Sequence, residues 1–198
     1  MTSGAAPPPR TAAIVLAAGL GTRMGGGKMK REWQGRPLPA WPVMAAMAAG
    51  CDPVVAVVGP DHAGLDQPLM AAGARLVINP DPQAGLSASL RCGLPLIGEA
   101  DSLLVLLGDM PLIRAGHLAA LREALDPARG RTIAAPVCRG RRGNPVLFDK
   151  MHFAALAALR GDQGARSLIQ GPQTVLVEMD DPAVLTDVDT TADWSALP

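Results

Sequence analysis

The sequence has few aromatic residues and no net charge. Aromatic residues make up 3% of its 198 residues, tyrosine is absent, and 18 acidic residues balance 18 basic ones. Single-stranded nucleic-acid binders need aromatic side chains for base stacking, and binding to a duplex or an anionic membrane needs a basic surface. We therefore predict no nucleic-acid partner and no membrane partner. Any phosphate must be bound by a local cluster of groups.

Long apolar runs and paired cysteines are also missing. Apolar runs such as residues 54–58 and 103–107 have the length of strands and are far shorter than the about 20 residues of a membrane helix. Cys51, Cys92 and Cys138 are isolated and odd in number, which argues against a disulfide framework or a zinc site and favours a reducing, cytoplasmic location. Residues 1–10 lack the apolar centre of a secretory signal, so we expect a disordered tail there and one domain over residues 11–198.

Short apolar segments that alternate with helical segments predict an α/β fold. Strands are expected at residues 12–16, 54–58, 75–78, 103–107 and 132–135, whose continuous hydrophobicity indicates burial on both faces. One helix is expected over residues 40–49 and another around Leu118, Leu121 and Leu125. Right-handed crossovers then give a three-layer sandwich with a mostly parallel sheet. Residues 146–148 and 174–177 predict later strands near an edge, for which an antiparallel orientation is open.

The first strand runs directly into a glycine-rich loop. Residues 14–28 contain five glycines together with Arg23 and Lys28. Glycines let backbone amides converge on an anion, and the two basic side chains add charge, so the loop predicts a phosphate site at the carboxyl end of a strand. A Walker loop is excluded because Met29 follows Lys28 where a serine or threonine is needed.

A dinucleotide-binding loop is the main alternative for this glycine pattern. Gly19, Gly21 and Gly25 miss the G-x-G-x-x-G spacing by one residue, which leaves an NADP-binding oxidoreductase open. Such an enzyme should carry a ribose-reading charged residue at the end of its second strand, where this chain has Gly59-Pro60.

Residues 16–28 have the pattern L-A-A-G-x-G-x-R-M-G-x-x-K. This pattern resembles the signature of the molybdenum cofactor cytidylyltransferases and their guanylyltransferase relatives, which are MobA-like NTP transferases. Further blocks resemble the family in the same order, at residues 79–80, 85–90, 107–111, 143–148, 161–166 and 187–190. The resemblance covers roughly the whole chain after residue 10. The chain departs from it at residues 29–33, where the family has an apolar run, and at Asn144, where a histidine is common.

The resemblance implies a nucleotide-diphospho-sugar transferase-like fold and a Mg²⁺-dependent reaction. The implied activity is transfer of CMP from CTP to the terminal phosphate of molybdopterin, a phosphorylated pterin acceptor, with release of pyrophosphate. A molybdenum enzyme or its chaperone is the implied protein partner. GTP, another phosphorylated acceptor, or a catalytically silent chaperone with the same fold remain alternatives. The Leu16-Ala17-Ala18-Gly19 form of the loop favours CTP, because the guanylyltransferase loop begins L-A-G-G.

The candidate site residues follow from these blocks. Asp109 comes directly after the most hydrophobic strand, where a carboxylate suits Mg²⁺, although the pattern alone also allows an N-cap ahead of Pro111. The resemblance implies metal binding by Asp109 and Asp189, with Asp187 as the alternative second ligand and helix capping as the alternative role of Asp189. It implies catalytic roles for Arg23, Lys28 and Asp109. The implied nucleotide-binding residues are Leu16, Ala17, Ala18, Gly19, Gly21, Arg23, Lys28, Gly85, Ser87, Ser89 and Asp109, with Ser87 also a candidate N-cap, and the implied acceptor-binding residues are Asn144, Asp162 and Arg166.

Overall fold

A mixed sheet with helices on both faces forms the fold in a computed structural model, which describes residues 9–19, 21, 25–161 and 164–198. The predicted tail at residues 1–10 lies outside this part except for Pro9 and Arg10. The strands are β1 Thr11–Ala17, β2 Glu32–Trp33, β3 Arg36–Pro37, β4 Val54–Val58, β5 Arg75–Ile78, β6 Ser102–Leu107, β7 Ile133–Cys138, β8 Arg141–Arg142, β9 Val146–Asp149 and β10 Thr174–Glu178. The helices are α1 Ala40–Ala48, α2 Asp66–Ala71, α3 Leu86–Gly93, α4 Ala115–Ala124, α5 Phe153–Ala158 and α6 Thr191–Ser195.

The main sheet has the strand order β10-β7-β9-β6-β1-β4-β5, with β8 paired to β7, and every strand predicted from the sequence is present in it. The pairs β1 with β4, β1 with β6, β4 with β5 and β7 with β10 are parallel. Strand β9 is antiparallel to both β6 and β7. The prediction of a mostly parallel α/β sheet is confirmed.

The placement of the last two strands differs from the expectation. Strand β9 is antiparallel but lies inside the sheet, between β6 and β7, and its Val146, Leu147 and Phe148 are buried. Strand β10 is at the edge but parallel to its neighbour. Its Leu176 is 59% exposed, as an edge position allows.

Alternate residues of the central strands supply two separate cores. In β1, Ala13 and Val15 face a core that Val43 of α1, Leu69 of α2 and Leu118 of α4 complete. Ile14 and Leu16 face the other core, which contains Leu90 of α3 and Leu156 of α5. Because a strand points successive side chains to opposite faces, this arrangement explains why β1 is apolar throughout. The predicted three-layer sandwich is confirmed.

A third, smaller core joins the chain after the glycine loop to the carboxyl terminus. Leu38 and Val188 are fully buried here against Trp33 and Trp194, and the Arg31 guanidinium lies 5.6 Å from the centre of a Trp194 ring. This core brings the segment around residue 188 next to the loop that carries Lys28.

No helix among the described residues has both the length and the apolar character needed to span a membrane. Cys51, Cys92 and Cys138 are all free thiols, and burial raises the pKa of Cys51 to about 11.

Candidate active site

Three charged side chains from distant parts of the chain meet at the carboxyl ends of β1 and β6. The Lys28 Nζ lies 2.7 Å from Asp109 Oδ2 and 2.8 Å from Asp189 Oδ1. The Lys28 side chain is 6% exposed, that of Asp109 13% and that of Asp189 38%. The structure therefore brings together both predicted metal ligands and one of the predicted catalytic cations.

Backbone contacts explain why the two aspartates meet. Strand β6 lies beside β1, so the residues that follow both strands share one edge of the sheet. Gly108 permits the close approach, since a Cβ there would lie 3.0 Å from the Leu16 carbonyl oxygen. The Val188 N–H donates to the Asp109 carbonyl oxygen over 2.9 Å, which fixes the segment preceding Asp189 beside Asp109.

The glycines of the loop place Lys28. Gly21 has φ +60°, and a Cβ on it would lie 2.6 Å from the Lys28 Cβ. Gly25, Gly26 and Gly27 have consecutive φ values of 76°, 89° and 64°, and the Gly26 N–H donates to the Gly21 carbonyl oxygen over 3.1 Å. L-residues with side chains rarely adopt these angles, so the glycine run is a conformational requirement. Arg23, the other predicted cation, lies outside the described residues.

Electrostatic contacts keep Lys28 charged. Burial by itself lowers the pKa of Lys28, but the neighbouring Asp109 and Asp189 carboxylates outweigh it, and the pKa lies above its ordinary value. Partial desolvation, followed by the Asp109 charge, raises the pKa of Asp187. Asp187 is thus close enough to Asp109 and Asp189 to interact with both charges.

The second oxygen of Asp109 provides a test of whether a metal ion fits here. Asp109 Oδ1 is buried and has no hydrogen-bond partner among the described residues. An unpaired buried carboxylate oxygen is costly, and it is the type of ligand that Mg²⁺ prefers. Within the described ranges no group of three or more His, Cys, Asp or Glu side chains is arranged around a metal position. Two protein carboxylates nevertheless suit Mg²⁺, which usually keeps several waters.

The capping alternatives for the two aspartates are wrong. Helix α4 begins at Ala115 with Arg114 as its N-cap, so Asp109 caps no helix. Thr190 is the N-cap of α6, and its Oγ1 accepts from the Asp193 N–H over 3.2 Å. Asp193 Oδ2 in turn accepts from the Asp189 N–H over 3.1 Å, which leaves the Asp189 carboxylate directed to Lys28.

A cavity of about 510 Å³ adjoins the glycine loop. Ala17, Ala18 and Gly19 line it, as do residues 59–61 after β4 and residues 80–83 after β5. The Lys30 Nζ lies 2.6 Å from Asp61 Oδ1, and both residues line the cavity. Sequence reasoning missed Lys30, Asp61 and Asp81 as lining residues. Asp61 and Asp81 lie just after predicted strands, which was a usable signal, and Lys30 lies two residues after the predicted site residue Lys28.

Ser87 and Ser89 are buried, and both form hydrogen bonds within the protein. Gly85, with φ 88°, is the N-cap of α3, so the expectation that Ser87 caps this helix is wrong. Ser87 is fully buried, its N–H donates to the Gly161 carbonyl oxygen over 3.4 Å, and its Oγ accepts from Arg91 Nη1 over 3.3 Å. Ser89 Oγ accepts from Asn79 Nδ2 over 2.9 Å. Neither serine lines the large cavity, and their role in nucleotide binding stays a prediction.

A second cavity, of about 240 Å³, lies on the opposite side of β1. It contains two of the predicted acceptor-binding residues, Asn144 and Arg166, within a mostly apolar lining that includes Leu16 and Phe148. Leu16 thus faces this cavity and is absent from the lining of the larger one. Asp162, the third predicted acceptor residue, lies outside the described residues.

The sheet order and the charged cluster define an α/β protein of the nucleotidyltransferase type. Residues 13–178 match the MobA-like NTP transferase domain, and the chain belongs to this family. The bifunctional protein GlmU of Pelobacter propionicus is 39% identical over 143 residues, which are 71% of this chain and 30% of that protein. The chain thus spans about a third of the length of the GlmU proteins that it matches.

Two other relatives match along nearly their full length. The purine catabolism protein PucB of Bacillus subtilis is 28% identical over 193 residues, covering 91% of this chain and 92% of PucB. The crystal structure of Rv0371c from Mycobacterium tuberculosis superposes with a TM-score of 0.79 at 25% identity, covering 95% of this chain and 97% of Rv0371c. Rv0371c has also been solved in complex with manganese.

Proposed function

We propose that the chain transfers a nucleoside monophosphate from a nucleoside triphosphate to a phosphate group of a small acceptor and releases pyrophosphate. The observation that carries this proposal is the contact of Lys28 with both Asp109 and Asp189 at the strand ends, beside a cavity lined by the glycine loop. CTP and molybdopterin are the proposed nucleotide and acceptor.

The reaction is a direct displacement. An acceptor phosphate oxygen attacks the α-phosphorus, the bond from that phosphorus to the bridging oxygen breaks, and pyrophosphate leaves with the electron pair. Enzymes lower such a barrier mainly by aligning the two anions and neutralising their charge. Lys28, Arg23 and the amides of the glycine loop are proposed to neutralise the charge. No nucleophilic side chain is required.

Asp109 and Asp189 are the proposed ligands of a Mg²⁺ ion, with Asp109 Oδ1 as the unpaired oxygen that fits it. When bound, Mg²⁺ would neutralise charge on the nucleotide phosphates. The manganese complex of Rv0371c supports a divalent cation in this fold.

The large cavity is the proposed place for the base and ribose. Ala18 lines it and is 5% exposed, so its methyl group reduces the room beside the base compared with a glycine at this position. The proposed preference for CTP rests on this methyl group and on the resemblance of residues 16–19 to the cytidylyltransferase loop. GTP is the alternative nucleotide.

The smaller cavity is the proposed acceptor site. The Arg166 guanidinium suits an acceptor phosphate, and the Asn144 amide can both donate and accept hydrogen bonds. Molybdopterin is the proposed phosphorylated acceptor, and a molybdenum enzyme or its chaperone is the proposed recipient of the product.

A panel of ligands tests the proposal. Thermal unfolding would be followed with CTP, GTP, ATP, UTP and NADP, each with Mg²⁺ or Mn²⁺. A ligand at about 100 times its Kd adds about 2.7 kcal/mol to the unfolding free energy. At equal concentrations the ligand that binds most tightly raises the Tm most, and we expect this ligand to be CTP. Pyrophosphate release with CTP and molybdopterin then tests turnover. Stabilisation by NADP alone would instead support the oxidoreductase alternative.

A further inference from the structure

Lys28 uses the same carboxylates that are proposed to bind the metal ion. Its ammonium is nearly buried and contacts one oxygen of Asp109 and one of Asp189 at 2.7 and 2.8 Å. A divalent cation ligated by both carboxylates would therefore lie within a few ångströms of a positive charge. Two cations at such separation in a partly buried site repel each other strongly.

The Lys28 ammonium is able to move while its backbone stays in place. The contact between Gly21 and the Lys28 Cβ holds only the start of the side chain, and a flexible stem of methylene groups separates the Cβ from the Nζ. A triphosphate carries more negative charge than the two aspartates, and its phosphates are proposed to bind at the glycine loop that carries Lys28. It would offer the ammonium an alternative partner at the moment when the carboxylates are needed for the metal ion.

We propose that Lys28 is a built-in counter-cation that keeps free divalent ions off Asp109 and Asp189 and releases these carboxylates when a triphosphate attracts it. The metal ion is then taken up together with the nucleotide rather than ahead of it. The part concerning the nucleotide rests on the proposed function, whereas exclusion of the free metal ion does not.

The test measures the affinity for Mn²⁺ alone, without nucleotide, by calorimetry or by electron paramagnetic resonance of free Mn²⁺. Lys28→Met should bind Mn²⁺ at least about tenfold more tightly than the unsubstituted chain, because the nearest competing charge is gone. Lys30→Met is the matched control. Lys30→Met removes the same charge two residues further along the chain, but the Lys30 ammonium pairs with Asp61 and not with the proposed metal ligands. The Mn²⁺ affinity of Lys30→Met should therefore differ from that of the unsubstituted chain by less than about twofold.

A second variant ties the effect to this site. The double variant Lys28→Met with Asp109→Asn should lose the gain in Mn²⁺ affinity. If Lys28→Met binds Mn²⁺ no more tightly than the unsubstituted chain, the proposal is overturned. Lys28 would then serve to hold the two carboxylates in position. An equal gain in Lys30→Met would also overturn it, because the effect would then be one of overall charge.

Folding of the variant is checked in the same experiment. If Lys28→Met is poorly folded, Lys28→Gln retains hydrogen-bond donors without the charge, and its Tm should rise more with Mn²⁺ than that of the unsubstituted chain. A Tm response no larger than that of the unsubstituted chain counts against the proposal. Pyrophosphate release by the unsubstituted chain is scored separately, so the proposed function and the Mn²⁺ result can fail independently.

Discussion

Replacing Asp109 by asparagine should remove activity while leaving the fold intact. The substitution keeps the shape of the side chain and removes the charge proposed to hold Mg²⁺ and to pair with Lys28. Loss of a metal ligand at a phosphoryl-transfer site costs several kcal/mol of transition-state stabilisation. We therefore expect the rate of pyrophosphate release to fall about 10²-fold or more.

The expected change in stability is much smaller. Removing one partner of a buried ion pair typically costs about 3 to 5 kcal/mol when the other charge is left unpaired. Here the Lys28 ammonium keeps Asp189 at 2.8 Å, and the asparagine oxygen still accepts a hydrogen bond. Relief of repulsion from Asp187 and Asp189 offsets part of the loss. A cost of about 1 to 2 kcal/mol is expected, which most domains tolerate.

Asp101→Asn is the matched control. Asp101 directly precedes β6 and Asp109 follows shortly after it, so the two aspartates lie at opposite ends of one strand. Asp101 pairs with Lys150 over 2.8 Å at an exposed position. The control removes the same charge and should keep its rate within about twofold. Urea unfolding and a coupled pyrophosphate assay check both variants. A folded Asp109→Asn protein with an unchanged rate would remove Asp109 from the mechanism.

Four further predictions concern the loop, the nucleotide and the pH. Lys28→Met should lower kcat together with kcat/KM in steady-state assays; a rise in KM alone would make Lys28 a simple binding contact. Gly21→Ala should lower the unfolding free energy by about 1 to 3 kcal/mol in urea unfolding, because Gly21 has a φ of +60° and the new Cβ would clash with the Lys28 Cβ. Gly116→Ala is the control, since Gly116 lies in α4 with open space around it, and it should raise the unfolding free energy slightly. Equal effects of the two substitutions would contradict this account. With CTP and GTP in competition, CTP should be favoured about 10- to 200-fold in kcat/KM, and equal incorporation would refute the preference. Burial lowers the pKa of His152 below its ordinary value of 6.5. Near this pH the folded chain therefore binds fewer protons at His152 than the unfolded chain does. The unfolding free energy should fall as the pH drops from about 6.5 through the lower pKa of the folded state. His152→Gln should flatten this part of a pH series of urea unfolding curves, and an unchanged slope would show that other groups cause it.

Local sequence patterns were sufficient for the longer strands of the main sheet and for helices α1 and α4, whereas β2, β3, β8, α2 and α5 were not predicted. The apolar run at β1 predicted a strand buried on both faces, and its residues do fill two cores. The glycine-rich stretch predicted a loop whose backbone amides can converge on an anion, and Gly25, Gly26 and Gly27 have positive φ values, which glycine readily adopts. These features depend on dihedral preferences and side-chain periodicity within about ten residues, which a single sequence contains.

Capping and strand order were harder to predict. The sequence suggested Ser87 as the N-cap of α3, but Gly85 occupies this position with φ 88°, an angle that serine rarely adopts. The interior position of β9 depends on which elements cover Leu147 on one face of the sheet and Phe148 on the other, and that is set by the packing of the whole sheet.

The contact of Lys28 with Asp109 and Asp189 was decided by the tertiary structure. The three residues were candidates from local motifs, but nothing in the sequence specified that the lysine contacts both acids, since they are 81 and 161 positions away. The same is true of Lys30 and Asp61 across the large cavity. A sequence determines which chemical groups are available and the local shape of the chain that carries them. The contact of Lys28 with the two aspartates depends on the pairing of β1 with β6 and on the bond from Val188 to Asp109, because these long-range contacts bring the charges within reach of each other.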